Sequence, residues 1–296
     1  MTISITAVIL TSLAAIGLWF AVRWWQLEQR AVDGAATEQR PGPIDVTIGF
    51  VANFFDTLGI SSFASTTAAF KLFGRVADED IPGTLNVGHA LPTIAQALIF
   101  IALVSVEPVT LVTMIVAAVL GAWLGVGFVA RLPRRAIQIG MGIALLCAAA
   151  LFLVSLLGLM PGGGEAEGLS GLRLVVAVGV SFLLGALMML GVGLYAPCLI
   201  LVSLLGMNPL VAFPIMMGSC AFLMPVGGSR FVASRRYNVR AALGLAAGGV
   251  PAVLIAAYIV KSLPLDWLRW LVILVVAYAA VSMLWSAYRD AKPIAP

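Results

Sequence analysis

Charged side chains are scarce in this 296-residue chain, at 10% of residues, against about 25% in soluble globular domains. Apolar residues fill the difference, at 62% with a mean hydropathy of +1.09. A soluble fold could not hide that much apolar surface, so lipid is the solvent for most of the chain. The same extent excludes a single anchor or a helix resting on a bilayer. Histidine is rarer still: His89 stands alone, which excludes a multi-histidine metal site. The three cysteines, Cys147, Cys198 and Cys220, lie in apolar runs without CxxC or Cys/His spacing and read as small packing residues. No GxxxxGK[ST] or HExxH occurs, and no GxSxG surrounds Ser219, so P-loop, zincin and serine-hydrolase chemistry lack their motifs. An aspartyl membrane protease needs a second acid, and Asp56 has none. The chain is not expected to be an enzyme, and it calls for no cofactor.

What is present is a series of apolar runs, at about 2–22, 46–70, 82–106, 108–130, 136–160, 174–204, 210–228, 241–260 and 267–288. Each meets or approaches the ~20 residues that cross a hydrocarbon core. Residues 1–22 lack the cationic start of a signal peptide and are expected to remain as a first helix, closed by Arg23, Trp24 and Trp25 at the interface. The net charge of +4 lies beside these runs, so it reports orientation rather than affinity for nucleic acid.

Shifting the chain by 132 residues sets Leu58, Gly59 and Ile60 on Leu190, Gly191 and Val192. It also sets Phe63 and Ala64 on Tyr195 and Ala196, Gly74 on Gly206, and Pro82 on Pro214. The matches fall on glycine and proline, which points to a duplication. If every run crossed, Lys and Arg would divide seven to ten between the two sides, too small a bias to orient the chain. If the paired segments 46–73 and 178–205 instead dip in and return, fourteen of the seventeen fall on one side, leaving Arg173, Lys261 and Arg269 on the other. Three spans and one hairpin per repeat then invert the second repeat relative to the first.

The expected fold is therefore an all-α polytopic membrane protein of two inverted repeats. Its parts are a first span (1–22), a cytoplasmic or interfacial linker (23–45), repeat 1 (46–160), an extracytoplasmic loop (161–173), repeat 2 (174–288) and a cytoplasmic tail (289–296). The N-terminus is expected outside a cell inner membrane and the C-terminus inside. Oligomeric state stays open, with a homo-oligomer among the partners considered beside a small anion and the bilayer.

Gly59, Gly191 and Gly193 permit sharp reversals at the hairpin tips. Pro197 fits the first turn of a helix, with Ser65 as its counterpart, so both return helices are expected to start near these residues. Two such starts would point free N–H groups and positive dipole ends inward, a place that binds anions without lysine or arginine. Thr57, Ser61, Ser62, Ser65 and Thr66 would add donors, with Tyr195 and Cys198 at the second tip. The lesser alternative is that the glycines serve only close helix packing. Asp56 is an acid inside an apolar run, open to proton coupling or to pairing with the N–H groups of the return helix. His89 is open to a proton or substrate role or to packing. Asn53, Asn86, Gln96 and Ser219 are candidate pore-lining groups, and Pro92 and Pro225 are expected to kink their spans.

The run Gly49-Phe50-Val51-Ala52-Asn53-Phe54-Phe55-Asp56-Thr57-Leu58-Gly59, then Asp80-Ile81-Pro82-Gly83-Thr84-Leu85-Asn86, resembles the TauE/SafE family of membrane anion transporters. Gly191, Gly193 and Pro197 fit more weakly, and residues 1–45 lie outside the core of the resemblance. The resemblance implies transport of sulfite or an organosulfonate such as sulfoacetate, often outward. A proton-coupled importer and a membrane subunit that needs a partner protein are the alternatives. An inside-negative potential is worth about 2.3 kcal/mol per charge per 100 mV, enough for a roughly 50-fold outward gradient of a monoanion.

Overall fold

Proline and glycine punctuate the chain, and the helices follow them. In the computed structural model, which describes residues 5–29, 40–159, 164–259 and 266–289, twelve helices account for most of the described chain. They are α1 (Ile5–Gln29), α2 (Pro43–Thr57), α3 (Ser62–Phe73), α4 (Ile81–Gly88), α5 (Ala90–Leu103) and α6 (Pro108–Val129). Then come α7 (Arg134–Leu156), α8 (Gly171–Met188), α9 (Tyr195–Leu204), α10 (Ala212–Ala233), α11 (Val239–Ile259) and α12 (Asp266–Arg289). Among the described residues the only β pairing is the isolated bridge Ala166–Met207. Pro43 and Pro108 occupy first turns, where a missing N–H costs nothing. Pro92 has no N–H to give the carbonyl four residues back, and the span divides into α4 and α5 at His89. Pro225 leaves α10 running unbroken to Ala233.

Seven helical segments among the described residues are long and apolar enough to cross a membrane. Six are spans expected from the sequence. The seventh is α8, expected as a hairpin limb; its 18 residues reach about 27 Å. The remaining expected span is α12, of which residues 266–276 lie outside the described side chains. By contrast α3 (12 residues) and α9 (10 residues) reach only about 18 and 15 Å, well short of a ~30 Å hydrocarbon core. The protein is an all-helical, multi-pass membrane protein.

Element by element, the halves correspond under the 132-residue shift. Helices α2 and α3 fall on α8 and α9, the turn Asp78–Asp80 on Pro209–Val211, α4–α5 on α10, α6 on α11 and α7 on α12. The turns agree in detail. Gly59 and Gly191 take φ of 92° and 98°. In both tips the residue after the glycine (Ile60, Val192) donates to a carbonyl five back (Phe55, Leu187). Gly74 and Gly206, at the far ends of α3 and α9, also pair in positive φ. The packing is exchanged between halves: α2 lies on α11, and its counterpart α8 lies on α6. Glycine brings both pairs close, since a Cβ at Gly248 would meet Val46 O at 2.0 Å and one at Gly121 would meet Phe182 O at 1.9 Å.

The two ends of the bundle differ in charge. At one end Asp45, fully buried at the start of α2, accepts from Arg75 just after α3 (2.7 Å) and pairs with Arg240 at 3.6 Å. Asp78 there pairs with Lys71 (2.8 Å) and with Arg134 of α7 at 3.6 Å. The ends of α1 and α10 meet at this end too, through Arg235 to Glu28 at 2.7 Å. α1 runs past residue 22 to Gln29, and Trp24 is buried, its Nε1 donating to Tyr237 at 2.9 Å. It therefore does not serve as the expected interfacial anchor, because the segment after α10 covers it. The opposite end is held without an ion pair among the described contacts: Leu169 N to Thr110 Oγ1 (2.8 Å), Asn208 N to Ala166 O (2.9 Å), Arg173 to Leu205 O (3.4 Å) and the Glu107 carboxylate capping α6 at Thr110 N (2.6 Å). Thus the start of α2 meets the chain just after α3 through Asp45 and Arg75, and the start of α8 meets the end of α9 through Arg173 and Leu205 O.

Candidate functional site

Gly59 ends α2 and lets the chain reverse within four residues into α3. That reversal brings the Asp56 carboxylate over the start of α3, where Oδ1 accepts the N–H of Ser62 at 2.5 Å. Its other oxygen, Oδ2, accepts Gln96 Nε2 of α5 at 2.8 Å. The same nitrogen donates to Thr57 Oγ1 (3.0 Å), whose own hydrogen goes to Asn53 O (2.8 Å). Tyr195, first residue of α9, donates its hydroxyl to Gln96 Oε1 at 2.8 Å. One glutamine side chain thus ties the first tip to the second, and all of these groups are buried.

A second set flanks this one. Asn53 Nδ2 donates to Gly49 O at 2.7 Å, which turns its Oδ1 toward His89 Nδ1, 3.1 Å away. Nδ1 must then carry the proton, so Nε2 accepts from Thr66 Oγ1 at 3.0 Å. Both ring nitrogens of the fully buried His89 therefore have neutral partners, as a packing histidine would. Asn86 Nδ2 donates to Pro82 O (2.9 Å) and to Met188 O at the end of α8 (3.3 Å), while its Oδ1 is buried without a partner.

The tips themselves touch: a Cβ on Gly193 would lie 2.5 Å from Ser61 Oγ. Between them lies a cavity of about 10 Å³, room for about one water. Asp56, Ser61, Ser62, Gly193 and Tyr195 line it. A second cavity of about 40 Å³ shares Ser61 and Gly193 and is closed by Gly191, Pro197 and α7.

The structure gathers some sequence candidates here and turns others away. Ser65 donates to Ser61 O and Ser62 O within its own helix (3.3 and 3.1 Å). The side chains of Thr57, Thr66 and Asn53 are committed to protein partners. Cys198 and Ser219 are buried but line neither cavity, and Gly59 abuts Phe213 instead. Nor do both return helices present open ends: α3 begins at Ser62 rather than near Ser65, and its first N–H is taken by Asp56. α9 begins at Tyr195, ahead of Pro197, with no side-chain cap. Sequence reasoning missed Thr93, Met188, Leu194, Cys220 and Met224 as lining residues of the first cavity. Met188 falls on Asp56 under the 132-residue shift, a thioether where the first tip has an acid.

The model of the sulfite exporter TauE/SafE family matches residues 2–153. The match starts at residue 2, so the N-terminal segment, expected outside the family's core, lies within it. Residues beyond 153 are tied to the first half by the 132-residue correspondence rather than by the match. No curated protein and no solved structure matches the chain. With just over half of its residues matched, the chain belongs to the TauE/SafE sulfite exporter family.

Proposed function

We propose that the protein is a secondary transporter or facilitator that exports a small sulfur-containing anion, sulfite or an organosulfonate such as sulfoacetate, between the two hairpin tips. The observation that carries this reading is the buried meeting of Ser61 and Gly193 in a multi-pass chain of this family. In this reading the hairpins are re-entrant and the halves are inverted repeats, a recurrent transporter plan. The pairing of Asp45 with Arg75, the Arg173–Leu205 contact and the shortness of α3 and α9 support it. The basic end then faces the cytoplasm by the positive-inside bias, with the N-terminus outside an inner membrane and the C-terminus within. α9 offers its uncapped N-terminus to the anion, as helix ends do elsewhere.

Reconstitution in liposomes tests the transport reading. With an inside-negative potential and no pH gradient, the purified chain is expected to move sulfite outward. Movement only under a pH gradient would replace export by proton-coupled import, with Asp56 as the one acid available at the tips. No movement by the single chain would favour a subunit that needs a partner. For topology, single cysteines at Arg75 and Gly206 are expected to label from opposite sides, and labelling from one side would sink the inverted arrangement.

A further inference from the structure

Away from the hairpins, the lipid-facing surface is not closed between α1 and α6. Both helices lie on α10, and between them runs an open groove of about 390 Å³, the size of a small-molecule cleft. Ile9 and Ser12 of α1, Val112, Val116 and Leu120 of α6 and Phe222 of α10 line it, and Ser12 is the only polar lining side chain among the described residues. The three helices run the same way: Phe222 sits in the groove, Gly228 farther along α10 faces Phe20, and Arg230 reaches Trp123. Eleven residues make about three turns. Arg23 therefore continues the face of α1 that carries Ser12, and Trp123 continues the face of α6 that carries Val112. The groove leads toward the basic end, where Arg23 and Arg230 stand.

These two arginines differ from others at that end. Lys71, Arg75, Arg235 and Arg240 all pair with carboxylates. Arg230 instead donates Nη1 to the Trp123 carbonyl and lies 5.7 Å from the centre of its indole ring. That holds the guanidinium against α6 and leaves most of its N–H donors unused. Neither Arg230 nor the exposed Arg23 has an acidic partner among the described residues. A guanidinium with free donors suits a phosphate, and a half-exposed tryptophan such as Trp123 suits the level of lipid headgroups.

We infer that the groove between α1 and α6 seats an acyl chain of an anionic phospholipid, whose headgroup phosphate is held by Arg230 and Arg23. Gly127, against which the Arg230 guanidinium lies, is about 16 Å along α6 from Val116 in the middle of the groove. That is about half of a ~30 Å hydrocarbon core, the depth that the chains of one leaflet reach. Basic pockets between spans recognise anionic headgroups through this combination of charge and apolar wall. A second copy of the chain suits the groove less well. Related by a two-fold axis along the membrane normal, it would bring its own Arg23 and Arg230 to the same end, like charge toward like. The groove shares no lining residue with the tip cavities, so the lipid site is independent of the cargo.

Native mass spectrometry of the purified full chain in detergent, with phosphatidylglycerol and phosphatidylcholine of matched chains added, tests the site. Phosphatidylglycerol is expected to bind at least about tenfold more tightly. Arg230→Gln and Arg23→Gln should each narrow that ratio about fivefold, the effect of one basic residue beside an anionic lipid, and the double variant should bring it near one. Val116→Trp fills the groove and should weaken both lipids at least about fivefold while leaving their ratio unmoved. Thermal unfolding checks that each variant is folded; if the double variant is not, either single one decides. A wild-type ratio near one overturns the headgroup site, as does a ratio unmoved in a folded arginine variant. Binding unmoved by Val116→Trp overturns the seat of the chain. Disulfide-linked dimers formed in membranes by Ser12→Cys, and not by the wild type, would give the groove to a second copy instead.

Discussion

At the first hairpin tip, Asp56 gives a carboxylate to the N–H of Ser62; at the same place in the second stands Met188, whose sulfur faces the thiol of Cys220. Around these two residues the backbones agree, with Gly59 and Gly191 in nearly the same positive φ and the same turn hydrogen bonds. The turn depends on main-chain geometry that only glycine adopts without strain, so it survives duplication whatever the side chains become. The chemistry has separated. The first return helix has its positive end satisfied by a carboxylate of its own hairpin, and the second has no internal counterpart. The ends of the hairpins differ in the same direction: Asp45 and Arg75 lock the first with a buried ion pair, while Arg173 touches Leu205 O from the surface. The first hairpin is thus the bound, self-satisfied one, and the second is the one with capacity to spare.

The largest effect should come from what the hairpins share. Gly59→Leu or Gly191→Leu puts a side chain at φ above 90° in a closed tip, and transport in liposomes is expected to vanish in both; unchanged flux in both would remove the tips from the pathway. The next effects should separate the hairpins. Arg75→Ala leaves the fully buried Asp45 with Arg240 alone, and a loss of about 3 kcal/mol is expected, near the low end for breaking a buried pair. Denaturant or thermal unfolding of the purified protein reads it. Asp56→Asn removes a charge-assisted bond to the start of α3 and should cost about 1–2 kcal/mol; equal loss on Met188→Ala without any change at α3 amides would blur the contrast. Arg173→Ala should change stability by less than about 0.5 kcal/mol, as exposed substitutions do. A cost matching that of Arg75→Ala would mean that the two hairpins are anchored alike.

Much of this contrast was legible beforehand. Glycines at a fixed spacing of 132, with Lys and Arg clustered between the runs, were enough to pair the hairpins, because both signals are local and tolerate error in helix bounds. The return helices were placed three residues late at Ser65 and two late at Pro197, since a proline anywhere in the first turn satisfies the rule used. The tip chemistry was less accessible. Gln96 reaches Asp56 across 40 residues and Tyr195 across 99, and no periodicity records such pairings. The absence of an acid at Met188 was visible; that sulfur would face it there was not.

The exchange of partners between halves bears on how the chain is made. α2 leaves the ribosome about 180 residues before its packing partner α11 begins, a wait of roughly ten to forty seconds at ~5–20 residues per second. Throughout that interval α2 lacks its main packing partner, although Asp45, Asn53 and Asp56 gain Arg75, His89, Ser62 and Gln96 within the residues that follow directly, in a solvent that penalises each polar group left unsatisfied. α8, by contrast, emerges after α6 and can dock at once. Biosynthesis is therefore asymmetric even though the finished halves share one order of elements, and the first hairpin is the segment for which an insertion factor, or a delay in leaving the translocation channel, would matter most.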